Sequence, residues 1–304
     1  MKHFVSPTGD LYAHEIQKTI EDVGFVAVTA DYGAGKTHLM RRVKQLLEGQ
    51  AVTVIQSVDL SDRQVTIGSI LRDVILALGE EPKRSSSALS HQAVRLLGQA
   101  VKVQRRRVCL VVDDAHRLHG ETLSALKRLR ERDFAGVAPL LSVVLLGHPS
   151  LADTLSRRNE IGWRCDVLPL DEDHGWMTPA ERVRYLETVF GDQIEAQTRS
   201  RIAAAHRLPE AMNQFVRQTL RDARRAGVDV LDERTVRPTL AEQKASLGVS
   251  LKAIADEARV PKTTVHEAIQ DGDGHPASPQ VQAAIDKIAA ATQTRQHLTA
   301  VKAA

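Results

Sequence analysis

The sequence predicts an α/β protein with a five-stranded parallel sheet and helices on both faces, followed by an all-helical remainder. Three observations predict it. Five short apolar, β-branched runs alternate with stretches of helical periodicity between residues 25 and 170, and strands alternating with helices close into a parallel sheet. A Gly-rich turn, ADYGAGKT at 30–37, separates the first such run from the first helical stretch. Beyond Pro169 the apolar residues recur only at helical spacing.

The elements follow in order. FVAVT (25–29) is a β-branched strand that runs into the Gly-rich turn and then a helix from Lys36 to Leu47. VTVIQ (52–56) is the second strand; Ile67, Ile70, Leu71, Val74, Ile75 and Leu78 then recur at helical spacing. Pro82 and the serines at 85–87 punctuate, and a helix runs from Ala88 to about Val103. The strand 108–112, a helix from Glu121 to Arg132, the strand 141–146, a helix from Ser150 to Arg158 and the strand 165–170 complete the sheet. TPAERVRYLETVF then opens a helix with a Thr cap, a first-turn Pro and Glu181 three residues after Thr178. Further helices are expected at 194–206 and 209–226.

A chain of 304 residues exceeds one ordinary core. The expected division is an α/β core over 1–170, a helical subdomain over 171–240, a third module over 249–292 and a tail over 293–304. No run of eighteen apolar residues exists and MKHFVSPTGD lacks a basic-then-apolar leader, so neither a membrane span nor secretion is expected, and the expected location is cytoplasmic. Cys109 and Cys165 both lie in β-like runs and read as buried core thiols. The twelve histidines show no ligand spacing. A net charge of +3 permits nucleic-acid binding without requiring it.

ADYGAGKT matches G-x-x-x-x-G-K-[ST] at every position but the first, where Ala30 replaces Gly. Gly33 and Gly35 let backbone N–H groups converge on phosphate oxygens, Lys36 reaches the β/γ-phosphates and Thr37 holds Mg²⁺. The candidate nucleotide contacts are Asp31, Tyr32, Gly33, Ala34, Gly35, Lys36, Thr37 and His38. VCLVVDD (108–114) supplies the other half of an ATP site. Asp113 ends a buried strand and is the Mg²⁺ carboxylate, directly or through water. Asp114 stands where a base polarises the attacking water, and such strands usually end Asp-Glu. Asp is shorter by one methylene, roughly 1.5 Å of reach, so ATP binding with slow hydrolysis is expected. Alternatively the backbone shifts to compensate, or a second carboxylate serves.

With these residues in view, the chain resembles the AAA+ superfamily. Within it the chain is similar to the clade of the phage Mu B transposition protein, the TniB and TnsC transposition ATPases and the ATPase domain of ExeA-type secretion proteins. The resemblance spans roughly 15–225 and rests on ADYGAGKT, on DDAHRL followed by ETLSALKRLRE, and on SVVLLGHPSLADTL. It implies a five-stranded AAA+ core with a helical lid, and hydrolysis at subunit interfaces of a homo-oligomeric ring or helical filament. It also makes His148 a sensor of the γ-phosphate or lytic water; a helix-capping role is the alternative. The interface arginine falls in SRRNEIGWRC, with Arg158 preferred over Arg157 and Arg164 as a third candidate. A solvated helix-end arginine is the plainer reading of each. The lid departs from the family pattern: HRLPEAMNQF carries Glu210 after Pro209 where Gly-x-Pro-Arg is expected, so the second sensor is in doubt. Arg207 and Arg217 are the substitutes.

SLKAIADEARVPKTTVHEAIQ (250–270) resembles the helix-turn-helix headpiece of LacI-type repressors. That resemblance places Lys262, Thr263, Thr264 and His266 toward the major groove. A protein-docking three-helix bundle is the alternative, given Asp256, Glu257, Glu267, Asp271 and Asp273. Lys127 and Arg128 lie on the helix after the Asp-Asp strand and are a second candidate DNA contact; a salt-bridged helix face is the competing reading. Together these features imply a transposition helper that binds ATP and Mg²⁺, oligomerises on duplex DNA and presents it to a transposase. The competing function is a transcriptional regulator whose ATPase core gates a site-specific headpiece. A secretion-type assembly ATPase is a third reading, but that branch normally continues into a membrane segment.

Overall fold

The computed structural model describes residues 4–57, 65–171, 173–174, 176–232, 235–236, 240, 244, 247, 249–271 and 275–303. Asp273 lies outside them. The chain divides into two compact units, Val5–Thr178, and Pro179–Ala304 with Met1–Phe4.

The first unit is built on five strands: β1 (Phe25–Thr29), β2 (Val52–Ser57), β3 (Arg107–Val112), β4 (Ser142–Gly147) and β5 (Asp166–Pro169). They pair in the order β2-β3-β4-β1-β5, and every pair is parallel. β1 and β4 are buried along their whole length, as strands covered by helices on both faces must be. Parallel pairing puts the C-terminal ends of β1, β3 and β4 on one edge: Thr29 pairs with Gly147, and Val112 with Leu145. Three connections therefore open side by side on that edge, as the ligand crevices of open α/β sheets do.

The helices of this unit are α1 (Pro7–Glu21), α2 (Lys36–Leu47), α3 (Ile67–Ala77), α4 (Ser86–Gly98), α5 (Gly120–Glu131), α6 (Ser150–Ser156) and α7 (Asn159–Gly162). α4 loosens into a π-helical turn over Gln99–Val103. α1 is an addition to the sequence reading. The Ser6 hydroxyl caps it by accepting from the Gly9 N–H at 2.8 Å, Pro7 stands in its first turn, and Ala13, Ile16 and Ile20 are buried. α3 carries a reciprocal cap between Thr66 and Ser69. Cys109 and Cys165 are buried and unbridged, and burial pushes both thiols up to about 12. They are inert core residues.

The second unit is helical: α8 (Pro179–Phe190), α9 (Ala196–Ala205), α10 (Pro209–Arg225), α11 (Leu251–Ala258), α12 (Lys262–Asp271) and α13 (Ser278–Ala303). Ile254, Val265, Ala268, Val281 and Ile285 form the core shared by the last three. α13 continues through residues 293–303, where the sequence reading has a tail. Among the described residues no helix is long and apolar enough to cross a membrane.

Candidate functional site

The loop between β1 and α2 turns through two left-handed glycines, Gly33 at φ 81° and Gly35 at φ 102°. Side chains strain in that region and glycine does not. Ala30 takes the first motif position without strain: it is buried, and its N–H extends the sheet by donating to Gly147 O at 3.0 Å. Gly35 is also the N-cap of α2, so the unpaired N–H groups of that helix face the loop. The Lys36 ammonium folds back over the loop and donates to Ala30 O at 2.7 Å and Asp31 O at 3.0 Å. Burial lowers its pKa, while Asp113, Asp114 and Asp31 act in the opposite direction. A half-buried ammonium beside the N-terminus of a helix can hold an anion between them. Thr37 and His38 are exposed on the first turn of α2.

Trp176 braces the loop from behind, and the sequence analysis did not single it out. It is 8% exposed, its indole Nε1 donates to Ala34 O at 3.1 Å, and a Cβ built on Gly35 would stand 3.9 Å from its ring. Tyr12 of α1 meets that ring edge-on, with centroids 5.6 Å apart.

Asp113 is half-buried and Asp114 exposed at the end of β3. The Asp114 N–H donates to Asp113 Oδ1 at 2.9 Å, which fixes one oxygen of the Mg²⁺ candidate. Asp114 sits at φ 48°, ψ 35°, so the chain turns sharply into the short 3₁₀ segment Ala115–Arg117. His116 in that segment is a second residue the sequence analysis passed over. Its Nδ1 accepts from the His148 N–H at 3.4 Å, and its Nε2 lies 3.2 Å from the Tyr32 hydroxyl. Burial lowers its pKa, and His148, Lys36 and Arg117 act the same way against Asp114. Neutral His116 with its proton on Nε2 fits both bonds. The rings of Tyr32, His116 and His148 lie 5.8 to 6.2 Å apart, centroid to centroid. They form an aromatic rim between the phosphate loop and the end of β4. His148 Nδ1 accepts from the Ser150 N–H at the start of α6 at 3.3 Å, while Nε2 faces Asp31 at 3.7 Å.

The arginine candidates separate. Arg158 lies directly over Gly120 at the start of α5: a Cβ added there would be 1.8 Å from its Nη2. Arg164 pairs with Glu131 at 3.0 Å, and Arg157 is exposed beside them. On α5, Lys127 is largely covered, 16% exposed, and pairs with Glu131 at 3.5 Å, whereas Arg128 is exposed. Arg130 donates from Nε and Nη2 to Val23 O and holds that carbonyl rather than facing outward.

In the second unit Ser250 caps α11, and Arg259 in the left-handed region (φ 57°) ends it before the Val260-Pro261 turn. Lys262, Thr263 and His266 are exposed at the start of α12; Thr264 is half-buried. Glu267 lies 3.8 Å from His275 Nε2, and Lys287 pairs with Glu257, so Glu257 has a local counter-charge.

Residues 19–155 match the family model described as AAA domain. No curated protein matches the chain. Among solved structures the chain is similar in fold to Cdc6p from Pyrobaculum aerophilum, at 14% identity over 94% of this chain and 82% of that one, with a TM-score of 0.57. It is also similar to the ORC2 protein of Aeropyrum pernix in its ADPNP–ADP complexes, at 14% identity over 97% of this chain and 98% of that one, with a TM-score of 0.55. At this identity the likeness is one of fold. The glycine turn, the lysine over it and the paired aspartates at the end of β3 all lie inside the stretch that is similar to the AAA domain, and that stretch falls on an α/β core with the AAA+ fold.

Proposed function

We propose that this chain is a DNA-binding ATPase of the transposition-helper kind. It binds ATP with Mg²⁺, assembles as a ring or helical filament on duplex DNA and delivers that DNA to a transposase. Slow hydrolysis acts as a switch. One observation carries the nucleotide part: Lys36 closes over a left-handed glycine turn with Asp31, Asp113 and Asp114 around it, inside the stretch similar to the AAA domain.

The residues present fit the nucleotide. Side chains at Gly33 and Gly35 would strain the backbone that cradles phosphate, and the α2 N-terminus faces the same space. The bound triphosphate supplies the electrophilic phosphorus. Lys36 would exchange its two carbonyl partners for phosphate oxygens, and Thr37 and Asp113 would hold the cation. Asp114 orients water and draws its proton, while His148 and Arg157 or Arg158 meet the charge that develops on the transferring group. The resemblance of the motif set to the transposition helpers supports the partner assignment, and the ADPNP–ADP complexes of the ORC2 protein support the ligand.

A second reading, an ATP-gated transcriptional regulator, is favoured by the exposed Lys262, Thr263 and His266 after the Arg259 turn. Electron microscopy of the purified protein with DNA, with and without a non-hydrolysable ATP analogue, separates the two. Analogue-dependent coating of any duplex supports the helper. A nuclease footprint confined to one palindromic site supports the regulator. Lys36→Ala is expected to abolish nucleotide binding and assembly together; an undiminished oligomer on DNA would overturn the coupling.

A further inference from the structure

We infer that the outer face of α10 is a phosphate-binding surface for duplex DNA, formed by Arg217, Arg221, Arg224 and Arg225. This deepens the DNA reading above and rests on it, but adds a surface that neither the headpiece resemblance nor the α5 candidates include.

The argument begins with charge. The nine residues 217–225, RQTLRDARR, set four arginines against Asp222 and carry a net +3. The whole chain also carries +3, so its other residues sum to neutrality. The excess positive charge of the protein is thus equivalent to that of two and a half turns of one helix. Helical geometry then aligns it. At 3.6 residues per turn the four guanidinium-bearing positions fall within roughly 100° of arc and span about 12 Å of axis. All four side chains are exposed. The opposite side of α10 is anchored by Met212, Val216, Leu220 and Ala223, all buried, and Asn213 accepts from the Tyr185 hydroxyl at 2.8 Å. The arginines therefore stand on a rigid platform.

Local partners account for little of this stripe. Arg225 approaches Asp222 at 3.4 Å and Arg224 approaches Asp229 at 4.0 Å, both in exposed pairs that a stronger anion displaces. Arg224 and Arg225 also suit the negative end of the helix dipole, but Arg217 and Arg221 lie before the last turn and gain nothing from it. Among the described residues, Arg221 donates to the Arg217 carbonyl, at 3.3 Å. A row of planar five-donor forks over about 12 Å complements a duplex edge carrying one charge per roughly 1.7 Å. Contacts from these guanidinium groups to phosphate carry no sequence information by themselves.

The test is a salt titration of duplex binding by fluorescence anisotropy. A labelled duplex is used with the full chain and with the triple variant Arg217→Gln/Arg221→Gln/Arg224→Gln. Losing three phosphate contacts should make the slope of log affinity against log salt shallower by about 2.7. Between 50 and 200 mM salt the parent then loses about 40-fold more affinity than the variant. The triple Arg→Lys variant keeps the charges and should keep the slope, which guards against a folding defect in the Gln variant. Parallel lines for parent and Gln variant overturn this inference and leave the wider DNA reading standing. A parent with no duplex affinity at any salt overturns both. Retention on anionic lipid vesicles in place of duplex overturns it in favour of a membrane surface.

Discussion

Asp114→Glu tests the slow-switch reading most directly, because the structure sets two effects of the change against each other. Glu restores the missing methylene and carries the carboxylate roughly 1.5 Å further from the backbone. A misplacement of about 1 Å at a reacting group costs on the order of a hundredfold in rate, equivalent to about 2.7 kcal/mol of barrier. Against this, Asp114 occupies the left-handed region at φ 48°, ψ 35°. Asp tolerates that conformation through local hydrogen bonding; a longer side chain does not, at a cost of about 1 kcal/mol. The first figure is the larger, and a domain stable by about 5–15 kcal/mol absorbs the second. The expected outcome is turnover raised roughly 10- to 100-fold with ATP affinity unchanged, and a urea midpoint lowered by the equivalent of about 1 kcal/mol. Phosphate release at saturating MgATP, with and without duplex, measures the first, and chemical denaturation the second. Asp114→Asn is the control: Asn also accepts the left-handed turn, so stability should hold while turnover falls. A Glu variant that binds ATP normally yet turns over more slowly than the parent refutes the reasoning.

Four further outcomes are expected. Trp176→Phe removes the donor to Ala34 O and should cost about 1 kcal/mol of stability, whereas Trp176→Ala also empties the space behind Gly35 and should cost about 3–5 kcal/mol. With the 85%-exposed Trp163 replaced by Phe, the remaining indole emission should shift when nucleotide enters the loop, and a silent signal would place the nucleotide elsewhere. His116 has a depressed pKa when folded, so the unfolded chain takes up its proton first as pH falls. Its contribution is present above the ordinary histidine value and is lost as pH drops through the folded value; His116→Gln should flatten that part of the stability-versus-pH curve. Finally, Arg157→Ala should leave stability within about 0.5 kcal/mol and, as a residue serving a neighbour's site, regain turnover when mixed with Asp114→Asn subunits, which keep Lys36. Arg158→Ala in the same mixing assay tests the other candidate, whose guanidinium lies over Gly120 of its own chain; only the arginine that reaches a neighbour's site should show the regain.

The sheet was legible because each strand is a β-branched run closed by a turn signal, and the observed strands start and end within one residue of the expected spans. The glycine turn was legible for the same local reason: Gly33 and Gly35 are where the backbone adopts positive φ. What the sequence hides are contacts made between distant segments. Trp176 meets Ala34 across 142 residues and Tyr32 meets His116 across 84, and no periodicity encodes either. α1 escaped for a different reason. Its buried Ala13, Ile16 and Ile20 have helical spacing, but they are diluted by polar neighbours into a helix of near-zero mean hydropathy. Lys127 and Arg128 are neighbours in sequence, and only the fold shows Glu131 within 3.5 Å of the first while the second is exposed.

Asp114 is where local sequence and tertiary geometry meet. Taken alone, an Asp in the usual place of Glu reads as a shortened catalytic arm. In the fold it is also a left-handed residue leading into the segment whose His116 reaches both Tyr32 and the end of β4. Asp is among the few side chains that suit such a turn, so the same substitution that withdraws the base also favours the bend that joins the aspartates to the aromatic rim. The two consequences can be pulled apart. A Gly at 114 keeps the bend without any carboxylate, and Glu keeps the carboxylate while straining the bend. If bend and rim matter for nucleotide retention, the Gly variant should hold ATP as tightly as the parent while hydrolysing none, and the Glu variant should hydrolyse faster while releasing product sooner. Equal product release from the parent and both variants would assign Asp114 to chemistry alone.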